Sequence, residues 1–308
     1  MKKVQNRNNI GNPYHDEQTG EFTSADKVNS LFGVEVKKES SRNFLPKITS
    51  SFTKRRFVED LSKEEKERLR ENFNNVFGEK IRLMNEQNVN PTIIIKDLDR
   101  IKDREQWVKD EINEQLNKSP KNKWKKATIV LGLPGSGKST IAEPLAKMRG
   151  SFIIDADEMK KRIPEFQQDE NNICKVHEES VDLSNKMMDE LMGSGYNMVI
   201  GKVGGHAPSI INLVKALKEN GYDIDVIVND VPFEESINRN IDRYKSGRSN
   251  RVVPLSTIFD SDSKIFDTFD QLMEMDEVNG GAIYSNDVLY GQKPQLLKTF
   301  KNKEGVLI

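Results

Sequence analysis

Residues 128–140 read Thr-Ile-Val-Leu-Gly-Leu-Pro-Gly-Ser-Gly-Lys-Ser-Thr, a short apolar run followed by a glycine-rich turn. The turn satisfies the pattern G-x-x-x-x-G-K-[ST], and the helix-like stretch Ile141-Ala-Glu-Pro-Leu-Ala-Lys147 comes next. Strand, loop and helix in that order are the context in which the pattern binds phosphate. Glycines let the chain bend sharply and bring backbone N–H groups close to phosphate oxygens. Gly132, Pro134, Gly135, Ser136, Gly137, Lys138, Ser139 and Thr140 form the candidate nucleotide-binding set. Lys138 is expected to balance the charge of the β- and γ-phosphates. Ser139 offers a hydroxyl to magnesium, and the helix that follows presents the positive end of its dipole to the anion. The implied cofactors are ATP and Mg2+.

Working outward, apolar runs at 128–131, 152–154, 198–200 and 225–228 alternate with helical stretches. Strands separated by helices predict an α/β fold with a parallel sheet flanked by helices. Such sheets bind ligands at the carboxyl ends of their strands, so the residues after each run are where chemistry is sought. The second run ends Ile153-Ile-Asp155-Ala-Asp157, two carboxylates expected to lie on one side next to the glycine turn. Phosphoryl transfer to a hydroxyl needs a carboxylate to take the proton, and Asp157 is the candidate base. It could equally cap the next helix. Asp155 is a candidate cap or a ligand of a magnesium-bound water. Asn286, after a last strand-like run at residues 283–285, is a candidate neighbour of the adenine.

These residues together resemble the zeta-toxin family of P-loop kinases. The similarity rests on the phosphate turn, Asp155-Ala-Asp157 with Ile163-Pro164-Glu-Phe166, Val176-His-Glu-Glu179-Ser180 and Gly195-Tyr-Asn197. It continues through Val231-Pro232, Ile241-Asp-Arg243-Tyr244 and Arg251-Val-Val-Pro254. The resemblance implies ATP-dependent transfer to a sugar hydroxyl of UDP-N-acetylglucosamine, a toxin-like activity, and an antitoxin partner. It assigns Lys138 and Asp157 to catalysis and makes Arg243 and Arg251 the arginines that stabilise the moving phosphoryl group. Arg248, in the same glycine-containing segment, joins the ATP-binding candidates, and Glu179 the acceptor-binding ones. One place departs from the family pattern: where an acidic residue and Gly-Thr usually follow the third strand, this chain reads Gly201-Lys-Val-Gly-Gly-His206. Lys202 and His206 therefore become the candidate acceptor contacts, with Lys202 suited to an anionic acceptor.

The remainder of the 308 residues is more polar. Charged residues make up 31% of the chain and the mean hydropathy is −0.69. Residues 1–126 carry 27 Lys and Arg against 21 Asp and Glu, and residues 127–308 carry 21 against 28. Residues 1–50 lack a sustained period and are expected to be a disordered tail, within which residues 12–24 resemble a short phage head-morphogenesis motif. Ser62 and Glu65 form a capping box for a helix through Leu69, Phe73, Val76 and Phe77 that is expected to stop at Gly78. A second helix is expected from Asn90-Pro91 to Leu116, pairing with the first as a hairpin over residues 51–120 that could dock on the kinase or restrain it in cis. Residues 119–126 read as a basic connector, 121–290 as the kinase domain and 291–308 as a polar tail. One cysteine, no signal peptide and no run of 18 apolar residues point to a soluble, cytoplasmic protein, or one associated with a phage virion. The acidic kinase portion disfavours nucleic acid. A polynucleotide or nucleoside kinase, or a phage particle component keeping only the fold, are the alternatives.

Overall fold

The computed structural model describes residues 55–86, 98–169, 172, 175–248, 252–288 and 292–300. Six strands build one sheet: β1 (Lys126–Leu131), β2 (Phe152–Ile154), β3 (Met198–Lys202), β4 (Asp223–Asp230), β5 (Val278–Ser285) and β6 (Gln295–Phe300). Their spatial order is β2-β3-β1-β4-β5-β6. The first five run parallel, and β6 returns antiparallel against β5. All four apolar runs expected as strands, and the later one at 283–285, lie in this sheet, β4 and β5 being longer than their apolar cores.

Alternation along each strand divides the core in two. Val130, Val199, Ile227 and Ala282 face Ile141, Ala142, Leu145 and Ala146 of α3 (Lys138–Arg149). Ile129, Leu131, Met198, Ile200, Val226 and Val228 point the other way, into the larger cluster. That cluster includes Leu183 and Met187 of α6 (His177–Gly193), Val214 and Leu217 of α7 (Ala207–Glu219), and Phe266, Phe269 and Leu272 of α10 (Lys264–Glu274). Helices on both faces leave only the strand ends open for a ligand.

The amino-terminal helices are part of this unit rather than a separate hairpin. In α1 (Lys63–Glu86) the capping box forms as read, Glu65 N–H donating to Ser62 Oγ (3.1 Å) and Ser62 N–H to Glu65 Oε2 (2.8 Å). The helix does not stop at Gly78. Glycine there costs about 1 kcal/mol but breaks nothing unless φ turns positive, and it does not. Buried Phe73 and Phe77 stack on each other, and Phe77 lies 4.9 Å from the Tyr244 ring of α8 (Phe233–Lys245). Lys80 crosses over the same ring, so packing carries the helix past the glycine.

In α2 (Leu98–Lys118) the most buried side chains are Arg104, Val108, Glu111 and Gln115, while the apolar positions Trp107 and Ile112 are partly buried against the core. Leu116 is exposed. Its expected start at Asn90 lies outside the described residues. Glu111 accepts from Arg162, and Gln115 pairs with both backbone groups of Ile153 at 2.8 and 2.9 Å. Gln115 thereby satisfies the outer edge of β2, which no other strand covers.

Two expectations for the connecting segments are corrected. The basic connector is stitched to the sheet rather than merely solvated: buried Asn197 accepts from Trp124 and Lys126 N–H, and Asn122 N–H donates to the Gly150 carbonyl. The closing tail contains a strand. Residues 295–300 are mostly exposed at the sheet edge, held by backbone pairing and by Phe300 packing edge-on to Phe269, so no hydrophobic pattern marks them. Residues 1–50, expected to be a disordered tail, and the phage-like motif within them lie outside the described residues. No helix among the described residues is long and apolar enough to cross a membrane.

Because Phe77 is 1% exposed and bridges α1 to α8, Phe77→Ala is expected to lower the unfolding free energy by about 3 kcal/mol. Urea denaturation checks this; an unchanged midpoint would mean that α1 is not part of the cooperative unit.

Candidate active site

The phosphate turn is built by strain that only glycine accepts, held from behind by amides. Gly135 and Gly137 sit at φ +83° and +79°, in the left-handed region. A Cβ at Gly135 would come within 2.8 Å of the Asn240 amide nitrogen, and one at Gly137 would collide with the Asn286 amide. Asn229 at the end of β4 and Asn286 after β5 both donate to the Ser136 carbonyl, at 2.9 and 2.6 Å. Ser236 and Asn240 of α8 donate to the Pro134 carbonyl at 2.6 and 3.1 Å. The Pro134 and Ser136 carbonyls are thus committed to the rear, and Ser136 N–H closes the turn on the Leu133 carbonyl at 3.0 Å. Gly137 caps α3, and Lys138 is that helix's first residue, its ammonium donating to the Gly132 and Leu133 carbonyls at 2.9 and 3.1 Å. Ser139 and Thr140 are exposed beside it.

On the other side, Asp155 accepts from Asp157 N–H at 2.9 Å and caps α4 (Ala156–Lys160). The two carboxylates do not adjoin the turn directly, because β3 lies between β2 and β1. Adjacent strands are about 4.8 Å apart, so the gap is about 10 Å. Lys202, paired in register with Leu131, fills that interval. Burial pushes the Lys202 ammonium below the usual lysine range, and the Asp155 charge opposes the shift. Burial pushes the Asp155 carboxyl up, the Asp157 charge adds to it, and Lys138 opposes. Asp155 is thus within electrostatic reach of both Lys138 and Lys202. Asp157 is half-exposed and its Oδ1 lies 2.9 Å from the ammonium of Lys160, which is buried. Sequence reasoning did not single out Lys160, although a lysine three residues on in a helix is the spacing that finds it.

Two other candidates, Glu179 and Asn286, occupy places their patterns did not foretell. Glu179 is buried and gripped by arginines of α2: Arg100 Nε donates to it at 2.8 Å, and Arg104 lies alongside at 3.6 Å. It fixes α2 to α6 instead of opening toward an acceptor. Asn286 is buried under the turn, its amide committed to Ser136, so it supports the loop rather than bordering the adenine. Arg239, which drew no notice in the sequence, holds the Asn286 carbonyl at 2.8 Å. Arg243 is exposed in the last turn of α8, and Arg248 is exposed just beyond it, donating to Ser246 Oγ. Arg251 lies outside the described residues.

Among the described residues no three His, Cys, Asp or Glu side chains cluster as metal ligands. Magnesium needs no such cluster, because it keeps most of its water and is shared with substrate phosphates. Ser139 at the start of α3 is the residue that would hold it, Asp155 reaching only its water shell from across β3, and bound there it would neutralise phosphate charge. His206 caps α7, its Nδ1 accepting from Ser209 N–H at 3.3 Å and meeting Ser209 Oγ at 2.7 Å. Burial, then the Lys264 charge, holds its imidazole below the usual value. The unfolded chain therefore binds the proton more readily, and stability falls as pH drops through about 6.5. Relative to His206→Asn, whose amide caps without titrating, the parent is expected to lose stability between about pH 7.5 and about pH 5. Parallel urea titrations read the difference; pH-independent spacing of the two curves would contradict it.

The sequence profile of the Zeta toxin family matches residues 109–293, more than half of the chain. A search of curated protein sequences finds no match. Among solved structures, AvrRxo1-ORF1 in complex with AvrRxo1-ORF2 and ATP is similar with a TM-score of 0.50 and 18% identity, over 72% of this chain and 71% of that one. The sulphate-bound form of that complex gives the same TM-score at 16% identity, with the same coverage. The PezAT toxin–antitoxin system of Streptococcus pneumoniae gives 0.49 at 19% identity, over 64% of this chain and 81% of that one. These likenesses concern the fold, and the profile match concerns descent: the chain belongs to the zeta toxin family of P-loop kinases.

Proposed function

We propose that this chain binds ATP with magnesium at the turn of residues 132–140 and transfers the γ-phosphoryl group to a hydroxyl of a small anionic acceptor. A UDP-sugar such as UDP-N-acetylglucosamine is the acceptor class that family membership supports, with toxin-like consequences and an antitoxin as restraining partner. The observation that carries the reading is the turn with left-handed Gly135 and Gly137, whose Pro134 and Ser136 carbonyls are held from behind, facing two carboxylates across one strand.

In this reading the amides of the turn and the Lys138 ammonium bind the β- and γ-phosphates. Asp157 accepts the proton of the acceptor hydroxyl as its oxygen bonds to the γ-phosphorus and the bond to the ADP oxygen breaks. Lys160 orients the Asp157 carboxylate, and Lys202, standing where relatives carry an acid, holds a negative group of the acceptor. Arg243 in the last turn of α8, with Arg248 and Arg251 in the sequence that follows it, would meet the transferring group. Guanidinium charge there stabilises the phosphoryl oxygens best when water is excluded.

Incubating the purified chain with γ-labelled ATP and a panel of UDP-sugars, nucleotides and DNA ends tests this. Transfer to a UDP-sugar is expected, falling at least about 100-fold in Asp157→Asn and in Lys138→Ala. Label reaching no acceptor, or transfer indifferent to both substitutions, would remove the reading.

Lys202 gives a sharper check on acceptor chemistry. Lys202→Met is expected to raise the acceptor KM about tenfold or more while leaving the KM for ATP within about twofold, since the lost charge pair contacts only the acceptor. Equal changes in both constants would place Lys202 outside the acceptor site.

A further inference from the structure

The segment ahead of α1 reaches across the molecule and ends in a buried charge cluster beside the phosphate turn. Arg55 Nε lies 2.9 Å from Asp230 Oδ1, and its Nη1 lies 2.8 Å from Asp262 Oδ1. All three side chains are almost wholly enclosed, at 7%, 6% and 1% exposure, so the cluster is not a solvated surface pair. The guanidinium stacks 4.3 Å over the Phe57 ring, which packs edge-on to Phe266. Val58 N–H donates to Asp262 Oδ2 at 2.8 Å, and Ser263 bonds to Glu59. Burial pushes both the Asp230 and the Asp262 carboxyls up and Arg55 opposes it, which agrees with two acids dependent on one cation.

Asp230 closes β4, and what surrounds it leads to the nucleotide side. Its backbone carbonyl accepts from Asn286 N–H at 2.7 Å. Asn229, its neighbour in sequence, and Asn286 are the two residues whose amides converge on the Ser136 carbonyl. Residues 55–62 precede the family-matched segment that begins at 109, so nothing in the family profile assigns them a part.

We propose that Arg55 is a positioning residue of the phosphate turn: by neutralising Asp230 and Asp262 it fixes the end of β4, and through Asn229 and Asn286 it holds the Ser136 carbonyl in place. Removing one partner of a buried ion pair leaves uncompensated charge, so its loss is felt beyond its own contacts. Arg55 thus links the amino-terminal segment to the site that binds the nucleotide in the reading above, but the linkage itself is a property of the folded chain.

Amide hydrogen exchange of the full chain, measured without nucleotide, tests it. Arg55→Met is expected to speed exchange of the amides of residues 132–138 by at least about tenfold, the signature of local opening. Adding Asp230→Asn and Asp262→Asn to that variant removes the orphaned charges and keeps a carbonyl for Val58 N–H; exchange of 132–138 is expected to return to within about threefold of the parent. An Arg55→Met protein that exchanges faster only in residues 55–62 would overturn the proposal, as would a triple variant no slower than the single one. If Arg55→Met does not fold, Arg55→Lys carries the same reading, since lysine keeps the charge but not the two-point span. Faster exchange at 132–138 then supports the proposal and unchanged exchange there refutes it. Failure of the parent to bind adenine nucleotides counts against the kinase reading alone and leaves this outcome intact.

Discussion

Two side-chain amides meeting on one carbonyl, those of Asn229 and Asn286 on Ser136, are the constraint on which the rest of the site depends. A loop that must offer N–H groups to an anion has to turn its carbonyls away, and buried carbonyls need partners. Here the partners come from the ends of β4 and β5, and from Ser236 and Asn240 of α8. The sheet order decides which strands can supply them: β4 is next to β1, and β5 next to β4. The glycines complete the arrangement, because a side chain at Gly135 or Gly137 would occupy the space those amides use.

The acceptor side follows a different logic. Its charged groups, Asp155, Asp157, Lys160 and Lys202, stand at the ends of β2 and β3 and compensate one another in part. Burying a lysine beside an aspartate is costly unless a ligand draws on the charge, and such costs collect where function is served. On the function proposed, Lys202 stands where the family resemblance implies an acid, which would reverse the sign of one wall of the acceptor site. That reversal is the feature most able to change which acceptor is taken.

Much of this was legible in the amino-acid order. The phosphate turn was readable because its chemistry needs fixed residues at fixed spacing, and the parallel strands because they are apolar on both faces. The Ser62–Glu65 box was readable as local hydrogen bonding. What escaped has a common cause: burial by charge and amide rather than by hydrocarbon. The inward face of α2 carries Arg104, Glu111 and Gln115, which a search for apolar periodicity assigns to solvent. Arg55 and Asp230 are 175 residues apart, and no local pattern joins them. Asn286 was singled out for the right neighbourhood but the wrong task, and β6 was missed because backbone pairing at an edge leaves no side-chain signature. The intermediate position of β3, which separates the carboxylates from the turn, is a matter of strand order that sequence alone does not fix.

On the function proposed, a turn held open by left-handed glycines grips a nucleotide's anionic end. Isothermal titration of the chain with ADP and magnesium, beside the same titration of Gly137→Val, tests it most directly. The account requires binding at one site per chain in the parent and none in the variant, whose side chain would displace the Asn286 amide from beneath the loop. No heat of binding in the parent, or equal binding by both proteins, would contradict it.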